Sequence, residues 1–319
     1  MQQNDPNITL ITATAPLSAA THGGRAKCLQ RLIRLDLPVP CTVALSFDAV
    51  HAIAAGNMPD MQAILTAFDT DDLLCVRPSS EDPDWGGPRA ILNIGMNDNR
   101  YQALRSQLGH EAAAGLYIRF VQSYAVHVAR LDPDMFDTSA AFGPQELAQA
   151  LQAYEAETEE EFPQDPAVQL AEVLRSMARA WEGVTARLLR QAKGAPVDAK
   201  LGLVVQKMAL SLGQGASGSG VFQMVSSVTG LPKLTGHYFN QSQGRKAAQG
   251  EQTLYLERDP RGPSLEDLVP EAFEDLKRHS VLMRSRLREE MQIEFMLQDG
   301  KLRILDGVRV QRSSQAAVR

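Results

Sequence analysis

The sequence has few cysteines, no basic excess and no long apolar run, and each absence excludes a class of protein. The three cysteines, Cys28, Cys41 and Cys75, are odd in number and widely spaced, which argues against a disulfide framework or a cysteine metal site. They are typical of a reducing cytoplasm, where cysteine is a small buried residue. The net charge of −6 leaves no basic excess to neutralise phosphates, so generic nucleic-acid binding is not expected.

No apolar stretch approaches the roughly 20 residues that cross a bilayer. The first residues also lack the basic start and apolar run of a signal peptide. The six histidines have neither metal-ligand spacing nor a nucleophile partner, and common hydrolase, zinc-protease and dinucleotide motifs are missing. We therefore expect a soluble cytoplasmic protein with no membrane segment.

Three regions follow each other along the 319 residues. Residues 1–97 alternate short strands and helices and predict an N-terminal α/β lobe. Residues 98–194 show helical periodicity and predict a helical subdomain. Residues 195–319 are rich in strand patterns and predict a C-terminal lobe that ends in a β-hairpin. This order favours an α+β fold, with two lobes and a cleft between them.

Several cations lie where an anion could bind. "THGGRAK" places Arg25 and Lys27 at a predicted helix start, where the helix dipole attracts anions. Arg77 ends the apolar strand "DLLCVRP", where a guanidinium can hold a phosphate through two hydrogen bonds. Solvated side chains are the alternative for Arg25 and Lys27, and an ion pair with Glu81 or Asp82 is the alternative for Arg77.

The stretch "GASGSGV" is rich in glycine and serine, and its backbone N–H groups could surround a phosphate. No Gly-Lys-Ser/Thr follows, so it is not a Walker loop. An ordinary connection between two strands is the alternative.

The stretch "MQIEFMLQDGKLRILDG" predicts a hairpin turning at Asp299-Gly300. A two-residue turn places Ile293, Phe295, Leu297, Leu302 and Ile304 on one face, with Glu294 on the other. A three-residue turn, or a bulge after Leu305, would instead group Gln292, Glu294 and Asp306 as oxygen ligands for Mg²⁺. Hydrophobic patterning favours the two-residue turn.

Taken in order, these segments resemble the nucleotide-binding domain of the pyruvate phosphate dikinase family. The resemblance runs from about Gly23 to the end of the chain, and its motifs are collinear. They include "GGRAKCL", "LPVP", "VRPSSEDPDWGGPRAILNIGMND", "EEFPQDPAVQL", "VVQKM", "SGSGV", "SQGRKAAQG" and "MQIEFMLQDGKLRIL". The resemblance implies an ATP-grasp fold with a helical insertion, in which two lobes close on ATP, and a role in passing phosphoryl groups towards a histidine.

The resemblance also implies a set of site residues, with ATP and Mg²⁺ as cofactors. Arg77 and Glu294 would be catalytic, and Glu294, Asp306 and Gln292 would lie at the metal. The nucleotide would contact Arg25, Lys27, Arg77, Gln206, Met208, Gly215, Ser217, Gly218, Ser219 and Gly220.

The sequence departs from the family mainly at charged positions. The family's lysine after the glycine pair is Arg25, and the second arginine of its phosphate loop is Glu81. One of its two metal-side carboxylates is Gln292, and an acid of its AQGE motif is Arg245. Phosphoryl transfer depends on positioned charge, so these changes predict a weakened enzyme on a retained fold.

Three functions remain open at this point. The chain is expected to lack the family's phosphohistidine and pyruvate domains, so the leading hypothesis is a nucleotide-binding regulatory subunit, or pseudoenzyme, that acts on a partner protein. The second is an active phosphotransferase whose acceptor, such as a phosphohistidine domain, is a separate protein. The third is an interaction protein without a ligand, in which Glu81 and Arg245 form an ion pair across an empty site.

Overall fold

The computed structural model describes residues 7–136, 142–225, 232–240, 253–287, 289 and 291–309. Within these residues the fold is α+β, with helices and two antiparallel sheets. No helix among them has the length and apolar character required to cross a membrane. The chain divides into two compact units. Unit 1 comprises Met1–Ile11, Ala15–Lys27 and Cys41–Met208, and unit 2 comprises Thr12–Thr14, Cys28–Pro40 and Ala209–Arg319.

Unit 1 contains a five-stranded antiparallel sheet with the strand order β1-β2-β5-β3-β4. Its strands are β1 (Ile8–Leu10), β2 (Thr42–Leu45), β3 (Leu74–Ser80), β4 (Ile91–Ile94) and β5 (Leu201–Lys207). The sequence places β5 in the C-terminal lobe, but here it is the central strand of the N-terminal sheet. Six of its seven residues are buried, and pairing on both edges satisfies its backbone.

The helices that precede β5 all form in the expected part of the chain. They are α1 (Ala19–Ile33), α2 (Phe47–Ala54), α3 (Met61–Leu65), α4 (Asp98–Leu108), α5 (His110–His127), α6 (Pro144–Thr158), α7 (Pro166–Glu182) and α8 (Val184–Ala192). Gly183, whose backbone is extended, separates α7 from α8. The acidic stretch after Tyr154 is helical as far as Thr158.

Unit 2 contains a second five-stranded antiparallel sheet, with the strand order β10-β9-β6-β7-β8. Its elements are β6 (Gly218–Val225), β7 (Pro232–Asn240), β8 (Thr253–Tyr255), α9 (Leu265–Leu268), α10 (Pro270–Leu287), β9 (Met291–Gln298) and β10 (Lys301–Arg309). The sheet packs its apolar face around the fully buried Phe222, Phe295 and Tyr238. The Phe295 and Tyr238 rings stack with their centroids 6.2 Å apart, so the centre of this face is rigidly packed.

Candidate functional site

In unit 1, the glycine pair before the amphipathic helix is held against β3. Gly23 has φ 85° and ψ 169°, which interrupts α1 and makes Gly24 the start of its longer straight part. A Cβ on Gly23 would lie 1.7 Å from the carbonyl oxygen of Ser79, so no other residue fits at this position. The Ser79 hydroxyl donates to the His22 carbonyl at 2.7 Å and accepts from the Ala26 N–H at 3.1 Å. The helix start is therefore fixed on the strand that carries Arg77.

Two of the predicted phosphate cations lie close together on this framework. The Arg25 guanidinium donates from Nη1 to the carbonyl of Pro78, the residue after Arg77. Arg77 itself is half-buried and does not end its strand, because β3 continues to Ser80 by pairing with Leu201–Leu203 of β5. Lys27 points elsewhere, since its Nζ lies 3.4 Å from the Leu17 carbonyl. The Arg25 guanidinium is thus held against the residue that follows Arg77 in β3.

Gln206 and Met208, which the resemblance places at the nucleotide, have different environments. The Gln206 side chain is 1% exposed and donates to the Thr42 hydroxyl at 3.1 Å, so it is part of the sheet interior. Met208 is half-buried at the end of β5, and its sulfur accepts from the Asn93 N–H at 3.0 Å. Met208 is therefore the more accessible of the two.

In unit 2, the terminal hairpin combines the two-residue turn with a bulge. Asp299 and Gly300 both have positive φ, 49° and 78°, as a type I′ turn requires. The pairing is regular as far as Ile304 opposite Phe295, and Leu305 is then an extra residue, so that Asp306 lies opposite Glu294. The expected bulge after Leu305 is thus confirmed, since the register shifts between Ile304 and Asp306. It brings the two carboxylates to the same face without exposing the apolar side chains.

The carboxylate pair offers oxygen ligands of the kind that Mg²⁺ prefers. Asp306 is only 4% exposed, and its Oδ1 accepts from the Gly307 N–H at 2.9 Å. Gln292 lies on the same face of β9, and its Oε1 accepts from Gln223 Nε2 at 2.9 Å. In the described part of the chain, no three His, Cys, Asp or Glu side chains converge. The pair therefore fits a Mg²⁺ ion that takes its other ligands from phosphates and water.

The glycine-rich stretch is less open to a phosphate than its composition predicts. The Gly215 N–H donates to Asp299 Oδ1 at 2.8 Å, and the Ser217 hydroxyl accepts from the Asp299 N–H at 2.9 Å. A Cβ on Gly218 would lie 2.4 Å from the Tyr238 hydroxyl oxygen, and one on Gly220 would lie 2.6 Å from the Phe295 ring. Close packing thus explains why these two positions are glycine. The Gly215 N–H is already hydrogen-bonded to a carboxylate of the chain itself. Ser219 is half-buried on the opposite face of β6.

Sequence reasoning missed Ser79, Asp299 and Gln223 as residues that shape the site. Each acts through a contact with a residue at least 50 positions away, which no local pattern reports. The D-G turn signal identifies Asp299 but not the amide that it binds. Of the predicted ion pair between Glu81 and Arg245, Glu81 is exposed, and Arg245 lies outside the described residues.

Comparison with known proteins finds curated relatives that match most of the chain. No model of a known protein family matches the chain. "Pyruvate, phosphate dikinase" of Rhizobium meliloti is 26% identical over 93% of the chain and 38% of its own length. The protein of that name from Clostridium symbiosum is 28% identical over 78% of the chain and 30% of its length. "Pyruvate, phosphate dikinase 2" of rice, Oryza sativa subsp. japonica, is 25% identical over 93% of the chain and 37% of its length.

The chain spans about a third of the length of these curated relatives. Their similarity extends across both structural units, and it agrees with the collinear motifs. The chain is therefore a divergent dikinase-like domain, similar to pyruvate, phosphate dikinases over most of its own length.

Proposed function

We propose that this chain is a nucleotide-binding domain of the ATP-to-histidine phosphotransfer class, with weakened transfer chemistry, and that it serves as a binding or regulatory subunit. The observation that carries the proposal is the pairing of Glu294 with Asp306 beside the neutral Gln292. The name of the relatives adds the reaction class, since it describes a dikinase of pyruvate and phosphate.

In unit 1, Arg25 and Arg77 would hold phosphate oxygens. Both guanidinium groups belong to rigid elements, because α1 is fixed to β3 through Ser79 and β3 is paired on both edges. A charge held in place costs little reorganisation when it meets a phosphate, which is how such sites gain affinity. Lys27 would add a more distant positive charge. Met208 would contact the base, and Gln206 would support the strand beneath it.

In unit 2, Glu294 and Asp306 would bind Mg²⁺ through their carboxylate oxygens. The ion, when bound, supplies positive charge that draws electron density from the phosphates. Gln292, whose amide oxygen already accepts from Gln223, would be a weaker ligand than the carboxylate that the family has there. The Gly215–Gly220 stretch would contact phosphate only after the Asp299 carboxylate releases the Gly215 amide.

The weakening follows from the number of charges that have changed. Loss of one positioned group that stabilises a transition state costs on the order of 3 kcal/mol, or 10²–10³ in rate. Glu81, Gln292 and Arg245 each stand where the resemblance implies a side chain of different charge, although such losses do not add. Binding depends on fewer contacts than transfer, so a chain of this kind can retain ATP affinity after it has lost most turnover.

Isothermal titration of the purified chain with Mg-ATP tests the binding part of the proposal. We expect saturable heat with one equivalent of nucleotide, and we expect that heat to fall sharply when magnesium is replaced by EDTA. Slow or undetectable ATP hydrolysis in the same sample would agree with a binding subunit. Absence of heat, together with an unchanged melting temperature, would contradict nucleotide binding.

A second candidate function is an active phosphotransferase that uses a histidine on another protein or domain. The placement of Asp306 opposite Glu294 favours it, because this carboxylate would stand in for the one missing at Gln292. Incubation with γ-labelled and β-labelled ATP and a phosphohistidine-domain protein separates the two candidates. Labelled acceptor that disappears with Glu294→Gln would support transfer, and nucleotide binding without label would support the regulatory function.

A further inference from the structure

Unit 1 contains a cavity that none of the proposed nucleotide residues lines. Its volume is about 250 Å³, slightly below the range of drug-sized sites, so it suits a small ligand. It lies between the loop after β3 and the helices α7 and α8. The lining residues are Trp85, Gly86, Gly87, Pro88, Ala180, Trp181, Ala186, Leu189, Arg190 and Lys193.

A buried guanidinium is the most informative group in this lining. Arg190 is 6% exposed, and its guanidinium carbon lies 3.6 Å from the centre of the Trp181 ring. Its Nη1 donates to the Trp181 carbonyl at 2.7 Å, whereas its buried Nε has no acceptor among the described residues. A buried N–H without an acceptor is costly, so the structure holds a donor that a ligand oxygen could satisfy.

The charge around this guanidinium is positive. Lys193 is the second cation of the lining, and its Nζ lies 3.2 Å from where a Cβ on Gly86 would be. No aspartate or glutamate lines the cavity. The acid with the strongest electrostatic effect on Arg190, Glu182, is paired with Arg187 at 3.4 Å. Burial lowers the pKa of Arg190, which is the expected result for a cation that lacks a counter-ion.

The rest of the lining is apolar and flat. Both tryptophans of the chain, Trp85 and Trp181, line this cavity, together with Pro88, Ala186 and Leu189. Gly86 has φ 79°, and a Cβ on Gly87 would lie 3.5 Å from Pro78 and 3.6 Å from Trp181. The two glycines therefore keep one wall free of side chains. Two indole rings beside two cations complement an anion with a flat apolar body.

We propose that this cavity, here termed the tryptophan pocket, is a binding site for a small aromatic carboxylate. The ligand's ring would pack against the indoles, and its carboxylate would accept from Arg190 and face Lys193. The inference is independent of the proposed nucleotide function, because it uses none of the same residues. It adds a small-molecule site beside the Trp85–Pro88 loop, in which a Cβ added at Gly87 would lie 3.5 Å from Pro78, the residue after Arg77.

Tryptophan fluorescence of the full chain provides a direct test, because both fluorophores line the pocket. Benzoate is the probe, benzamide is its neutral analogue, and inorganic phosphate is an anion without an apolar body. We expect a saturable fluorescence change with benzoate at millimolar or lower concentration, and at least tenfold weaker responses to the other two. No saturable response to benzoate, or an equal response to benzamide or to phosphate, would overturn the proposal.

Three variants locate the binding within the pocket. Lys193→Gln removes an exposed cation and should weaken benzoate binding at least threefold. Ala186→Phe should fill the cavity and weaken benzoate binding at least tenfold. Arg179→Gln is the matched control, since Arg179 is an exposed cation of α7 that does not line the pocket. Circular dichroism and melting temperature verify that each variant folds. Equal weakening by Arg179→Gln and Lys193→Gln would show a general charge effect and contradict the site.

Discussion

At the scale of single residues, the opposed carboxylates Glu294 and Asp306 have an electrostatic consequence. Like charges directly opposite each other on neighbouring strands destabilise a sheet by a few tenths of a kcal/mol or more. Burial of Asp306 increases the repulsion, because the local dielectric constant is lower than in water. A divalent cation between the two groups would reverse the sign of this interaction, so their arrangement itself favours a bound ion.

The first prediction concerns these two carboxylates. Glu294→Gln and Asp306→Asn should each weaken Mg-ATP binding by tenfold or more, which corresponds to about 1.4 kcal/mol. In the absence of magnesium both variants should be as stable as the parent chain or slightly more stable, because the repulsion is gone. Titration calorimetry with and without magnesium, and thermal unfolding, measure the two effects. Unchanged Mg-ATP affinity in both variants would remove the carboxylates from the proposed site.

The second prediction concerns pH and His22. Burial lowers the pKa of this imidazole below its usual 6.5, and its Nε2 has no hydrogen-bond partner among the described residues. Because the folded pKa is lower than the unfolded one, the unfolded state binds the proton first as the pH falls. The contribution of His22 to the free energy of unfolding should therefore be fully present above about pH 6.5 and decrease below it.

Urea unfolding at pH 7.5 and at pH 5.5 measures this dependence. His22→Gln removes the titrating group and should reduce the difference between the two pH values. His110→Gln, at an exposed position, should leave the difference as it is in the parent chain. If all three proteins lose the same free energy on acidification, His22 does not contribute to it.

The same residues show what sequence could and could not predict at this scale. Glu294 and Asp306 are recognisable as candidate ligands because they are acids in an otherwise apolar hairpin. Their alignment depends on the extra residue at Leu305, which packs with Ala209 and Met296. Such packing brings together residues from distant parts of the chain, so the pattern of the hairpin leaves both registers open.

At the scale of elements, the tip of the terminal hairpin closes the glycine-rich stretch. The Asp299 carboxylate accepts from the Gly215 N–H, and the Gly300 N–H donates to the Ala216 carbonyl at 2.7 Å. Backbone N–H groups in such a stretch are the donors that would meet a phosphate. A negative charge of the chain itself thus occupies a position that the proposed ligand requires.

The third prediction removes only that charge. Asn is favoured at the first position of a type I′ turn, so Asp299→Asn keeps the backbone and an acceptor for the Gly215 amide. If the stretch holds phosphate, the variant should bind ATP several-fold more tightly, because repulsion between the carboxylate and the phosphates is lost. Calorimetric titration measures the change, and Asp259→Asn, in another loop of unit 2, controls for net charge. No gain in affinity would indicate that phosphates do not approach Gly215.

The fourth prediction concerns the interruption of α1. Gly23→Ala places a Cβ into the backbone of Ser79 and forces φ 85° on a residue that avoids it, so the free energy of unfolding should fall by more than about 4 kcal/mol. Gly56→Ala is the matched control. Its φ is 99°, but no heavy atom lies within 4 Å of the added Cβ, so it should cost only about 1–2 kcal/mol. Chemical denaturation of both variants measures the contrast, and equal losses would show that the contact with Ser79 is unimportant.

Elements were predictable where the local pattern was strong. The glycine pair before the helix, the two-residue turn and the helical stretch to Ala192 all follow from capping, turn and periodicity signals. The strands that pair with β5 could not be predicted in this way, because a buried apolar strand carries no local signal for the sheet that it joins. Its position between β2 and β3 is a property of the whole unit.

At the scale of the whole molecule, a mainly apolar framework is combined with the charge differences that the resemblance implies. Most buried positions of both sheets are apolar, and the relatives align with 93% of the chain at about a quarter identity. Apolar positions tolerate exchange for residues of similar volume, so a fold persists while its charged groups change. Function must therefore be argued from the charged groups, and homology alone does not establish turnover.

The fifth prediction uses the stability of the entire chain as the measurement of binding. A ligand that binds only the folded state at 100 times its Kd adds about 2.7 kcal/mol to the free energy of unfolding. For 319 residues that unfold together, this corresponds to a rise of roughly 4 °C in melting temperature. We expect this rise with Mg-ATP and a much smaller one with ATP and EDTA, because Glu294 and Asp306 would then repel the phosphates. A rise that is equal with and without magnesium would mean that the nucleotide binds without the carboxylate pair, and the metal part of the proposed function would be wrong.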